Sequence, residues 1–132
     1  MTQPATDTCH HIHALFDRRC AAQPDHTFLF MPDGTLTLGQ LQQRVDVLEA
    51  ELRSLGVLPG DRVLIVAANC PEHVALILAC SRVGAWSCGI NARMSRGEIA
   101  AFAAKADPRV TYFTSGVSDV AGAHAEHAQA VA

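Results

Sequence analysis

No stretch of this chain concentrates lysine or arginine, and its 10 basic residues are outnumbered by 13 acidic ones, for a formal net charge of -3. Proteins that grip nucleic acid or an anionic membrane surface carry a basic patch, so neither is expected as the main partner. Long hydrophobic runs are missing as well. The longest, Val74 to Cys80, falls far short of the roughly 20 residues that cross a bilayer. The opening MTQPATDTCHH lacks the charged-then-apolar plan of a secretory signal, which predicts a soluble, cytoplasmic chain. The 5 cysteines are odd in number and none are paired at C-x-x-C spacing. Three of them sit in apolar stretches, where a thiol acts as a small hydrophobe, so reduced and mostly structural cysteines are expected. There is no internal repeat, and the Ala/His-rich tail is the one low-complexity stretch.

What is present is a globular composition. Apolar residues make up 49% of 132 positions, enough for one domain with a hydrophobic core. Residues 1–9 are polar and predict a disordered N-terminus, followed by a single folded unit over 10–132. From His10 the pattern turns helical, with Ile12, Leu15, Phe16 and Cys20 on one face, and Pro24 ends it. His26 to Met31 and Thr35 to Leu38 read as a hairpin around the turn Pro32-Asp33-Gly34. Leu41, Val45, Leu48, Leu52 and Leu55 then stripe a long helix. Thr37 and Gln40 supply its capping box, Leu36 and Leu41 its hydrophobic staple, and Gly56 its left-handed stop.

After Pro59-Gly60-Asp61 the chain alternates. Strands are expected at Arg62–Ala68, Ala85–Ile90 and Arg109–Thr114, and helices at Pro71–Val83, Arg96–Ala106 and Asp119–Val131. Ser95 and Glu98 cap the second of these helices, with Met94 and Ile99 as its staple. The fold class is therefore α/β: an N-terminal helix and β-hairpin followed by βαβαβ(α) parallel-sheet units with right-handed crossovers. The helix at Pro71–Val83 is apolar on almost every side, which predicts cover beyond what a three-stranded sheet supplies, from further protein or a partner.

Several clusters carry chemistry on paper. Cys9, His10 and His13 present soft and borderline metal ligands within one helical turn, yet no second ligand group stands at zinc-site spacing, so the cluster reads as a polar helix start. Cys70 precedes a helix N-terminus with His73 three residues on, a spacing that suits a nucleophile and base. No third group orients them, so Cys70 reads as a cap position. The carboxylates offer no acid–base pair, since Glu72 and Glu98 occupy first turns, where negative charge favours the helix dipole. No catalytic and no metal residue is assigned. In an open parallel sheet ligands lie beyond the carboxyl ends of the strands. Asn69, Asn91 and Arg93 fall on that rim. Asn91 and Arg93 suit a ligand or a turn equally; Asn69 suits a turn. Thr114-Ser115-Gly116 has the composition of a phosphate loop, but Val117-Ser118-Asp119 follows, and a carboxylate repels phosphate. It reads as a strand and its turn.

These pieces together resemble a known family. DGTLTLGQL, from Asp33 to Leu41, and LGVLPGDRVLIVAANCPEHVALILACSRVGAWSCGINARMSRGEIA, from Leu55 to Ala100, closely resemble the start of the AMP-forming adenylating enzymes. The Leu-Thr entry to the long helix, the Gly-Val-x-x-Gly-Asp-Arg-Val strand entry and the Asn-x-Pro-Glu helix start carry the match, which runs from about Leu15 to Phe113. INARMSRGEIA is more like acyl-CoA or aryl-CoA synthetases than amino-acid adenylating domains, which tend to carry an aspartate where Asn91 stands. The resemblance implies carboxylate activation by ATP and magnesium to an acyl-adenylate, then thioester formation with coenzyme A, as in fatty acid metabolism. The family's Pro-Lys-Gly loop, adenine-facing aromatic segment, ribose-binding Asp and catalytic Lys have no counterpart in this sequence. The expectation is an N-terminal fragment that is inactive alone and binds no cofactor by itself. Its expected partner is the downstream part of the synthetase, or another copy of itself. The alternative is a non-catalytic interaction module that docks on a complementary synthetase fragment or another partner.

Overall fold

The computed structural model describes residues 10–131. The expected disorder of 1–9, and Cys9 with it, lies outside the described residues. Helix α1 (Ile12–Ala22) starts after His11, two residues later than the pattern suggested, and His11 makes no side-chain capping bond. Phe16 and Cys20 of its predicted face are buried, while Ile12 and Leu15 are each 55% exposed. Strands β1 (Thr27–Met31) and β2 (Gly34–Thr37) pair antiparallel, with Met31 opposite Gly34. Leu38 begins α2 (Leu38–Ser54) rather than ending β2, because Thr37 is the helix cap. The Gln40 backbone N–H donates to Thr37 Oγ1 at 3.2 Å, and the Thr37 backbone N–H donates to Gln40 Oε1 at 2.9 Å, which completes the box. At its other end Leu55, placed on the core stripe by spacing, is half-exposed.

The sheet that follows consists of β3 (Arg62–Ala67), β4 (Trp86–Asn91) and β5 (Val110–Phe113), in spatial order β4-β3-β5 with both pairings parallel. Helix α3 (Pro71–Val83) links β3 to β4, and α4 (Arg96–Ala106) links β4 to β5. Helix α5 (Asp119–Val131) closes the series. Strand β4 runs one residue later than expected. Ala85 is drawn into the stop of α3, where its N–H donates to Cys80 O at 2.9 Å and Gly84 adopts φ 75°.

Strand β3 alternates between two cores. Val63, Ile65 and Ala67 join Leu41, Val45 and Leu52 of α2 and Leu76, Ala79 and Cys80 of α3 on one side. Leu64 and Val66 meet Ala92, Ile99 and Ala121 on the other. The expectation that α3 needs cover from outside is corrected for most of the helix, with Val74 and Ile77 left partly exposed along open clefts. Helices α1 and α2 lie over it as a second layer, and Ala75, Leu76, Leu78, Ala79, Cys80 and Val83 are all buried by the chain itself. The extra cover was hidden in the N-terminal helices, whose apolar stripes needed a surface of their own.

Polar bonds lock that layer. Arg82 of α3 donates to Asp17 of α1 at 2.5 Å and to Asp46 and Glu49 of α2 at 2.6 and 3.1 Å. Burial alone would pull the Glu49 carboxyl up, but hydrogen bonds from Arg53 and Arg82 outweigh it and hold it below the usual value. Tyr112 of β5 donates its hydroxyl to Glu51 at 2.9 Å. Cys20, Cys70, Cys80 and Cys88 are free thiols, and burial pushes Cys80 up to about 11.

Two outcomes follow from this packing. Leu41→Ala, at a side chain with no exposed surface, is expected to cost about 2–5 kcal/mol in a urea titration. Glu49, with its folded pKa lowered, contributes stability that is complete above its ordinary pKa and is lost as pH falls through the lowered one. The stability gap between wild type and Glu49→Gln should therefore be widest near neutrality and shrink as the pH drops below about 4.5. A gap independent of pH would contradict the ion cluster.

Candidate functional site

The parallel strands all end on one side, so their carboxyl ends and the turns after them share a rim. A cavity of about 630 Å³ opens there, and Asn69, Asn91 and Arg93 all line it, joined by His73, Gly89 and Ser118. The structure thus brings together the three rim residues read from sequence. Asn91 serves the turn: its Oδ1 accepts the Arg93 backbone N–H at 2.9 Å. Arg93 is exposed, and its guanidinium has no hydrogen-bond partner among the described residues. Asn69 makes no side-chain bond of the kind a turn role relies on, among the described residues, and it lines the cavity.

His73, which spacing set beside Cys70, packs instead against β4. It sits in the first turn of α3, where its Nε2 lies 2.8 Å from the point a Cβ at position 89 would occupy. Only glycine in β4 leaves room for the ring. A glycine inside a strand marks such close approach, so Gly89 was the signal in the sequence. Burial lowers the His73 pKa, leaving a neutral ring at neutral pH with one donor and one acceptor. A second cleft of about 710 Å³, between the hairpin and the start of α3, shares Asn69, His73 and Val117 with the rim. His73 therefore stands in the wall between the two.

The Cys70 thiol is no poised nucleophile. Cys70 is the N-cap of α3 but makes no side-chain capping bond. Burial pushes its pKa up, outweighing the His73 backbone N–H that favours the thiolate. At the N-terminal cluster, His13 Nδ1 is hydrogen-bonded to Ser81 Oγ at 2.7 Å, and its ring stacks on His11. Among the described residues no group of three His, Cys, Asp or Glu side chains is arranged to hold a metal.

The Thr114-Ser115-Gly116 run is built into the fold. Thr114 Oγ1 accepts the Ala68 N–H at 3.0 Å, and the Thr114 N–H donates to Val66 O at 3.1 Å. Ser118 Oγ accepts the Ala121 N–H at 3.2 Å, and Asp119 fills the first turn of α5. Thr114 and Ser118 thus spend their oxygens on backbone N–H groups, Ser115 is exposed, and the carboxylate next in line opposes a triphosphate.

One rim-supporting residue escaped the sequence reading altogether. His124, in the Ala/His-rich tail, is buried, with Nε2 3.1 Å from both Ala92 O and Met94 O. Composition marked that tail only as Ala/His-rich and low in complexity, and no spacing pointed to its histidines.

The family model described as AMP-binding enzyme matches residues 16–132. The chain belongs to this family. It is 35% identical over 74 residues to phenyloxazoline synthase MbtB of Mycobacterium sp. (strain MCS), covering 56% of this chain and 6% of that protein. It is 36% identical over 86 residues to propionate--CoA ligase of Escherichia coli (strain K12), covering 61% and 13%. The inhibitor-bound N-terminal domain of FACL13 from Mycobacterium tuberculosis has the same fold, with a TM-score of 0.76 at 23% identity, over 86% of this chain and 29% of that one. The chain thus spans a small part of the length of the curated AMP-binding relatives it matches.

The Gly89–His73 contact makes a testable claim about the rim. Gly89→Ala should cost less than about 1.5 kcal/mol, because a ring end can swing aside, yet it should move His73 toward solvent. Its titration midpoint, followed by NMR, should then rise toward 6.5. An unmoved midpoint would show that the ring does not rest on Gly89.

Proposed function

We propose that this chain is the N-terminal portion of an AMP-forming acyl-CoA ligase acting on fatty or aromatic acids in the cytoplasm. The chemistry that family resemblance implies is activation of a carboxylate with ATP and magnesium, then transfer of the acyl group to coenzyme A. In this reading the chain supplies the sheet, its helical layers and one rim of the ligand-binding region, with Arg93 as the cation facing an anionic ligand and Asn69 beside it. The observation that carries it is the engagement of Thr114 and Ser118 within the fold. With those hydroxyls bonded to backbone N–H groups and the Asp119 carboxylate next to the turn, this reading assigns phosphate binding and adenylation to residues outside this chain. The match over residues 16–132 and the Arg93 guanidinium, unpartnered among the described residues, both support the assignment.

A second reading, an interaction module, draws on a different observation. A groove of about 440 Å³ runs between α1, β1 and α3, with Ile12, Leu15 and Phe28 exposed along it. In the ligase reading the same surface is covered by the downstream part of the synthetase; alone, it favours self-association.

The purified chain, incubated with ATP, magnesium and a panel of fatty and aromatic acids, is expected to release no pyrophosphate above background. Release abolished by Arg93→Ala would overturn the reading of an incomplete site. Co-expression with the downstream part of a related ligase separates the two functions, because a split ligase regains acyl-CoA formation and a docking module binds without it.

A further inference from the structure

We infer that His124 on α5 is a positioning residue that holds Arg93 in place at the rim; its functional meaning rests on the rim being the ligand-facing site proposed above. Carbonyl oxygens only accept, so the contacts of Nε2 with Ala92 O and Met94 O, both at 3.1 Å, require a hydrogen on Nε2 shared between them. Those two carbonyls belong to the residues on either side of Arg93. One ring nitrogen therefore fixes the Ala92–Arg93 peptide and the Met94–Ser95 peptide.

The backbone N–H groups from Ala92 to Met94 are tied from other directions. The Ala92 N–H donates to Ala67 O at 3.0 Å, the Arg93 N–H to Asn91 Oδ1 at 2.9 Å, and the Met94 N–H to Asn91 O at 3.1 Å. Against a backbone held at all three N–H groups and at the Ala92 and Met94 carbonyls, the Arg93 guanidinium is left without a partner among the described residues. A cation on a loop that is already ordered meets its ligand without the entropic cost of ordering that loop.

The placement of α5 makes the clamp possible. Ser118 caps the helix, and Ala121, with no exposed surface, seats it against Leu64, Val66, Ala92 and Ile99. His124 is one helical turn beyond Ala121, on the same face, and so reaches the loop after β4. His127, a turn further, is exposed.

NMR on the wild-type chain is the first test. The His124 ring should carry its hydrogen on Nε2, and that hydrogen should exchange slowly; a ring protonated on Nδ1 alone overturns the inference. In His124→Ala, amide exchange at Arg93 and Met94 should accelerate by at least about tenfold, while Ile65 and Val66 in β3 change less than about twofold. His124→Gln, whose amide donates to the same carbonyls, should restore most of the protection. Equal acceleration in β3 means a general core role and overturns it, as does an unchanged loop. If the alanine variant does not fold, the glutamine variant and the ring tautomer decide. None of these readouts involves a ligand. A separate titration with inorganic phosphate, followed at the Arg93 side-chain resonance, addresses the rim: a protected loop that ignores phosphate would sink the ligand-facing reading and leave the clamp standing.

Discussion

Strand β3 is hydrogen-bonded along both edges and packed on both faces, with Val63, Leu64, Ile65 and Val66 at 0–1% exposure. A parallel strand of this kind cannot be stable alone, because its neighbours must arrive through crossovers and its two faces need helices. Everything else in the chain answers to that demand. Helices α3 and α4 make the crossovers, and the cover on each face comes from what is left of the sequence.

The two faces are covered unequally. On one side α1, α2 and α3 build a deep core held by the Arg82 cluster, where a single guanidinium, 11% exposed, joins three carboxylates from two helices. On the other side, among the described residues, α4 and α5 are the helices that contribute, around the small cluster of Leu64, Val66, Ala92, Ile99 and Ala121. Ala92 and Ala121 lie on that thin side, and their size lets His124 approach the loop after β4. The deep side makes the sheet stable, whereas the thin side determines how its rim is arranged.

Much of the architecture was legible from local signals. The Thr37/Gln40 and Ser95/Glu98 capping boxes fix where α2 and α4 begin, and Gly56 and Gly84 adopt the left-handed geometry their positions called for. The apolar run from Val63 to Ala68 announced a strand buried on both faces. Errors fell at strand ends. Leu38 and Ala85 each belong to a neighbouring helix terminus, where a cap or stop bond outcompetes one more rung of the ladder. The cover of α3 was misjudged for a larger reason: an all-round apolar helix states that it is buried, not by what.

The candidate site divides in the same way. Chain order and strand direction were enough to put Asn69, Asn91 and Arg93 on one rim, because parallel strands end on the same side. The sequence determined those positions, the element types and the Asp119 carboxylate that follows the Thr114-Ser115-Gly116 turn. Only the tertiary structure decided that His73 rests against Gly89 and that His124 bonds the carbonyls on either side of Arg93. Both contacts join residues far apart in the chain, the first across the sheet's edge and the second from a helix whose own periodicity says nothing of a loop 30 residues away. Local propensity encodes helices and turns; contacts of this range exist only once the sheet has brought their owners together.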